Sequence, residues 1–173
     1  MKATLCPSGS CDHHPLWVKA GDDEVKYLTA ALKRGDAKAL ATVYAPAYGN
    51  SAASIERVRS QPESSTSFLA YADRIAGTTP GEGVLLRYAG LLVMEGKHAV
   101  RDTTRAATFF ARAWAAGDVE AASAASRLYI ADNDYRNAYL WSLRCTGKCE
   151  RDAQVNLDTL QQQLSPDAIK QAQ

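Results

Sequence analysis

Four cysteines and three histidines are the side chains best equipped for chemistry, and most of them lie near the two ends of the chain. Cys6, Cys11, His13 and His14 crowd together, with Asp12 among them as a spare oxygen. Thiolate and imidazole are preferred zinc ligands, so this arm could offer a Cys₂His₂ set. The spacing weakens that reading, because adjacent histidines rarely turn inward together and no finger pattern has these gaps. A thiol–imidazole nucleophile is a second use, but it needs a buried, fixed geometry that a Pro/Gly-rich arm seldom supplies. Oxidation is the third. Cys6/Cys11 and Cys145/Cys149 are two close pairs with no cysteine between them. Close pairs in turn-rich sequence can reach the roughly 5.5–6 Å Cα separation of a disulfide. Four cysteines allow three connectivities, and the residues alone do not choose among them.

Disulfides are favoured over zinc, with free thiols as the remaining option. Disulfides imply an oxidising compartment, most simply a bacterial periplasm, whereas free thiols imply the cytoplasm. The start, Met1-Lys2-Ala3-Thr4-Leu5-Cys6, has no apolar h-region. It therefore reads as a cytosolic protein or as an exported domain whose leader has been replaced by Met.

Other catalytic patterns fall short. Gly77-Thr78-Thr79-Pro80-Gly81-Glu82-Gly83 is glycine-rich but lacks the Lys-Ser/Thr of a phosphate loop, and Glu82 would repel phosphate. It reads as the corner before a helix at 82–95. There is no Gly-x-Ser-x-Gly elbow and no His-Glu-x-x-His helix. His98 stands alone between Lys97 and Ala99 and reads as a surface residue. The expectation is a protein without catalytic residues, cofactor or metal.

The elements that would position these residues are helical. The 173 residues suffice for one domain of ordinary size, and 31 of them are alanine, the best helix former. A formal charge of +1 argues against nucleic acid as a partner led by charge. No apolar run reaches the length of a membrane span. Pro7, Gly9, Pro15 and Gly21 punctuate residues 1–21, which read as an irregular arm. From 22 to 173 the chain reads as one helical domain. Asp22 can cap a helix whose apolar positions are Val25, Leu28, Ala31 and Leu32; Gly35 ends it, and Asp36 caps the next.

That helix–Gly–Asp–helix corner recurs at Gly117-Asp118. Around the two corners, Tyr27-Leu28-x-x-Ala31 overlays Phe109-Phe110-x-x-Ala113, and Ala39 overlays Ala121. Thirty-six residues before Gly117 stands Gly81-Glu82, which predicts another corner. Leu85, Ala89, Gly90 and Val93 match Ala121, Ala125, Ser126 and Tyr129, and a further copy opens at Ala153. A period of 32–36 with two helices per unit marks an αα-solenoid.

These residues resemble the Sel1-like repeat, a relative of the tetratricopeptide repeat. The segment Val100 to Asp118 follows the family pattern closely, as does Ala121 to Trp141. The likeness is good over 85–163, fair over 22–48 and poor over 49–80. Ser126 and Asp158 stand where the family prefers glycine, and Cys149 stands in the slot that Gly117 fills in its own unit. The resemblance implies an all-α fold, an αα-hairpin solenoid of about four Sel1-like units behind an irregular N-terminal arm. It also implies that Cys145, in an alanine slot, can clamp one unit by a disulfide, with Cys149 as candidate partner.

Alanines 106, 113, 121, 125 and 138 are expected where helices cross. Phe109, Phe110, Trp114, Tyr129, Tyr139 and Trp141 are expected to fill the gaps between them. An insert at about 49–64 interrupts the pattern, opening with Gly49-Asn50-Ser51, then a short helix around Ile55–Arg59, then a break at Gln61-Pro62-Glu63-Ser64-Ser65. It reads either as part of a binding face or as a tolerated solvent loop.

The first helix of each unit would leave a stripe on the concave side: Ala41, Ala45, Tyr48; Arg87, Leu91, Met94; Ser123, Arg127, Ile130; Val155, Thr159, Gln162. A merely solvated face would carry charge at most of these positions. Instead it holds apolar groups with two arginines, the composition of a protein-binding groove. Tyr48, Arg87, Leu91, Met94, Arg127 and Ile130 are thus the candidate partner-binding residues. Since some Sel1-like proteins are adaptors and some are immunity proteins, the resemblance implies a partner that is another protein. The most specific expectation is an immunity protein neutralising a secreted antibacterial effector such as a phospholipase. The alternatives are an assembly factor of a bacterial envelope machine, or a small zinc or thiol enzyme built on the Cys/His arm.

Overall fold

The computed structural model describes residues 15–44, 52–97, 99–145 and 149–172. Among these residues every regular element is a helix: α1 (Pro15–Lys33), α2 (Ala37–Tyr44), α3 (Ala52–Arg59), α4 (Pro62–Arg74), α5 (Pro80–Glu95), α6 (Thr103–Ala115), α7 (Glu120–Ala131), α8 (Tyr135–Leu143), α9 (Glu150–Gln161) and α10 (Pro166–Ala172). None is long and apolar enough to cross a membrane. The chain divides into two compact units, Met1–Ser67 and Phe68–Gln173, and the division falls inside α4.

In the first unit α1, α2 and α3 pack against one another. Val25, Leu28, Ala31 and Leu32 of α1 are buried as their spacing predicts, together with Ala39, Leu40, Val43 and Tyr44 of α2. Gly35 sits at φ +71°, a conformation that a Cβ disfavours. The turn around it satisfies two orphan carbonyls, with Gly35 N–H donating to Leu32 O at 2.8 Å and Asp36 N–H to Ala31 O at 3.1 Å. Asp36 Oδ1 then accepts from the N–H groups of Lys38 and Ala39, capping α2.

Two boundaries in this unit correct the sequence reading. The expected arm of 1–21 ends sooner, because α1 begins at Pro15 rather than at an Asp22 cap. Proline suits the first helical position, where its missing N–H would have no intrahelical partner. Gly21 lies within the helix without positive φ, and a Cβ there would meet only Ser54 Oγ at an ordinary 3.7 Å. Likewise Pro62 starts α4 instead of breaking the chain through Ser65. Ser65 and Thr66 donate their hydroxyls back to Pro62 O, so they remain satisfied inside the helix.

The insert is not a solvent loop where it is described. Its α3 buries Ser54, Ile55 and Val58 and packs on α1 and α2. Arg57 pairs with Asp22 at 2.8 Å, and Arg59 Nε donates to Val43 O at 2.8 Å. Burial pushes the Tyr44 phenol well above its ordinary value, with the Arg59 charge pulling the other way.

In the second unit α5 packs on α6, α6 on α7, α7 on α8 and α8 on α9; α5 also meets α7, and α10 meets α8. The five alanines expected at crossings, 106, 113, 121, 125 and 138, are all fully buried. Gly90 allows the closest approach. A Cβ there would lie 2.5 Å from Phe110 Cε1, so the α6 ring rests directly on the α5 backbone. Ser126, in a glycine slot of the repeat, is accommodated because its hydroxyl pairs with that of Ser142 at 2.7 Å inside the core. Phe109, Phe110, Tyr139 and Trp141 are buried as expected, whereas Trp114 is 39% exposed, which corrects its reading as a gap filler.

The corner at Gly117-Asp118 repeats that at Gly35-Asp36, with φ +95° at Gly117 and Asp118 N–H donating to Ala113 O. A third copy is Asn133-Asp134: Asn133 has φ +59°, Asp134 N–H donates to Tyr129 O, and Asp134 caps α8 through Asn137 N–H. Asparagine is the usual substitute for glycine in this conformation. Gly81-Glu82 is not such a corner. Both residues lie in the first turn of α5, where Thr79 is the N-cap and Glu82 closes a capping box.

Candidate functional site

The expected partner-binding residues of the second unit lie on α5 and α7, two helices in contact. Arg87 is spent inside the fold. Its side chain, 14% exposed, donates from Nε to Asp118 Oδ2 at 2.7 Å and from Nη2 to Glu120 Oε2 at 2.9 Å. Asp118 is only 5% exposed and also accepts from the Glu120 N–H through Oδ1. Burial works against the Arg87 charge, but the hydrogen bond and charge of Asp118 outweigh it, aided by Glu120 and Tyr88. The guanidinium is therefore held above its ordinary value. This arrangement ties α5 to the start of α7 and leaves little of Arg87 for a partner.

Leu91 and Met94 are half-buried on α5, and Arg127 is exposed on α7. Ile130 is half-buried and packs against a cluster of Ala138, Tyr139 and Leu160. Of the other stripe positions, Ser123 is buried, Ala41 is half-buried, and Thr159 and Gln162 are exposed. Tyr48 and Ala45 lie outside the described residues, as does the side chain of Val155. The face on α5 and α7 thus reduces to two half-covered apolar side chains and one exposed cation, with Ile130 shared between it and the interior.

A second group was not anticipated as a site. Trp114 of α6 and Trp141 of α8 meet edge to face, centroids 6.0 Å apart at 88°. The Arg144 guanidinium carbon lies over both rings, 4.6 Å from the Trp141 centroid and 5.5 Å from that of Trp114. The next residue, Cys145, is joined by a disulfide to Cys149, with Cα atoms 5.6 Å apart. Cys149 Sγ in turn lies 3.4 Å from Val119 O, at the corner between α6 and α7. A clue to this group was present in the sequence. The buried stripe of α6 is Ala106, Phe109, Phe110 and Ala113, so Trp114 falls at its edge rather than at its centre.

Cys6, Cys11, His13, His14 and His98 lie outside the described residues, and with them the zinc and thiol readings of the arm. Among the described residues no three His, Cys, Asp or Glu side chains converge as a metal site. The chain matches no family model, no curated protein and no solved structure.

Proposed function

We propose that this chain is a non-catalytic αα-solenoid of Sel1-like units that recognises another protein through the α5/α7 face. Its most specific role is that of an immunity protein, blocking the active cleft of a secreted antibacterial effector such as a phospholipase. Such a blocker needs a preformed complementary surface and no catalytic group of its own.

The observation that carries this reading is that Leu91 and Met94 stay half-buried on α5 while Arg127 is exposed on α7, a helix in contact with it. Apolar groups beside an arginine are what interface centres are enriched in. The Arg87–Asp118–Glu120 ties support a face that is rigid before binding, which lowers the ordering cost of association. The succession of contacts from α5 to α9, with α5 also meeting α7, supports stacked hairpins. The three Gly/Asn–Asp corners support a repeated unit. The Cys145–Cys149 disulfide supports an oxidising location, which we take to be the periplasm.

Affinity capture from the native cell tests the reading directly, and a co-purifying lipase or nuclease is the expected result. Leu91→Asp together with Arg127→Glu should leave the helical circular dichroism unchanged and abolish capture. Undiminished capture by that double variant would remove the α5/α7 face from consideration.

A further inference from the structure

We propose that Trp114, Trp141 and Arg144 form a second recognition site, separate from the α5/α7 face, which takes an acidic segment of a partner protein. The ligand it fits is an aspartate or glutamate next to an apolar side chain.

Arg144 differs from the other arginines that the fold holds in place. Arg57, Arg87, Arg101 and Arg105 each pair with a carboxylate, while Arg59 and Arg112 donate to backbone carbonyls. Arg144 is held by two indole rings instead, and among the described residues no carboxylate pairs with it. Over an aromatic face a guanidinium keeps the N–H groups at its edge for a further acceptor. Its planar fork matches a carboxylate with two parallel hydrogen bonds.

The site is organised before any ligand arrives. Trp141 is buried and fixes the inner ring, and Arg144 follows it by three residues on the same helical face. The chain just beyond Arg144 is fastened twice, by Cys145 N–H donating to Ser142 O at 3.1 Å and by the disulfide to Cys149. A side chain already held in place loses less freedom on binding. Apolar surface remains beside the cation, since Trp114, whose ring lies under Arg144, is 39% exposed. Tryptophan and arginine together are the residues that most often dominate binding energy at protein interfaces. Complementarity of charge therefore points to an anionic group, and the adjoining, partly exposed indole points to an apolar one beside it.

The test uses the intact, oxidised chain and its own tryptophan emission. The probe is a short blocked peptide repeating Glu-Leu-Ser, with Gln-Leu-Ser and Glu-Ser-Ser versions as controls. A saturable emission change is expected with the first peptide, at least tenfold weaker binding with either control, and weakening as salt is raised. Arg144→Gln should bring the first peptide down to the level of its glutamine version, and Arg144→Lys should retain part of the affinity. Trp114→Gln, a change at a partly exposed position, should weaken binding by a similar factor with the circular dichroism spectrum unchanged. Leu91→Asp/Arg127→Glu should bind the peptide like the parent, which separates this site from the α5/α7 face. The proposal is overturned if no saturable change occurs up to millimolar peptide, or if the glutamine version binds equally well. It is also overturned if a folded Arg144→Gln variant binds like the parent, or if anionic phospholipid vesicles bind at Arg144 while the peptide does not.

Discussion

Gly90 and Gly81 stand in the same helix, yet only one of them has room for a methyl group. At Gly81 a Cβ would meet nothing within 4 Å, whereas at Gly90 it would press on the Phe110 ring. Alanine in place of glycine gains about 0.4–1 kcal/mol where the backbone accepts it. Gly81→Ala should therefore raise the urea midpoint slightly, and Gly90→Ala should lower it by an overpacking cost of about 1–3 kcal/mol. Ala121, fully buried, belongs with Gly90. Ala121→Leu should cost about 1–3 kcal/mol, and an unaltered melting temperature would contradict the crossing assigned to it. Alanine and glycine positions were legible because small side chains mark close helix approach. The fate of Arg87 was not legible. A helical wheel places it beside Leu91 and Met94 but cannot show that Asp118, thirty-one positions on, reaches back to neutralise it.

At the scale of the element, caps decide where helices begin. The start of α5 depends on Glu82, whose Oε2 accepts from Thr78 N–H at 2.8 Å and Thr79 N–H at 3.2 Å. The Thr78 N–H is the main reason its carboxyl is held below the ordinary value; desolvation opposes this, and the Thr79 N–H and the two threonine hydroxyls add to it. A carboxylate depressed in the folded state stabilises above its unfolded pKa, and that contribution fades as pH falls through the folded one. Glu82→Gln should thus be less stable than the parent at neutral pH. The gap should close on acidification through the carboxylate range, as followed by thermal melts at successive pH values. The insert gives the second element-scale expectation. Ile55 of α3 is buried in the first unit, so Ile55→Ala should cost about 2–5 kcal/mol in chemical denaturation. A solvent loop would tolerate the change. This helix was hard to weigh in the sequence because it is short and falls where the repeat pattern lapses. Its worth comes from packing on α1 and α2, not from its own propensity.

For the whole molecule, the division inside α4 means that each unit holds its own buried residues. The Leu91→Asp/Arg127→Glu variant changes only half-buried or exposed positions of the second unit, so cooperative unfolding should persist while partner binding is lost. Joint loss of folding and binding would mean that these side chains hold the fold together. The same scale explains why two surfaces emerge on α5/α7 and α6/α8. Each helix spends one stripe on its neighbours, and whatever lies at the stripe's edge is left partly exposed.

Order along the chain was enough to determine that this protein is helical, where α1 buries its apolar stripe, and that glycine followed by aspartate turns one helix into the next. These are local consequences of propensity, periodicity and capping, which act over a few residues. Only the tertiary structure decided that Arg87 is consumed by Asp118 and Glu120 while Arg144 rests on two indoles, and that α3 is core. It likewise joined Cys145 to Cys149 among the connectivities the sequence left open. Those outcomes depend on which side chains from distant positions come within a few ångströms of one another, and helical period alone carries no information about that.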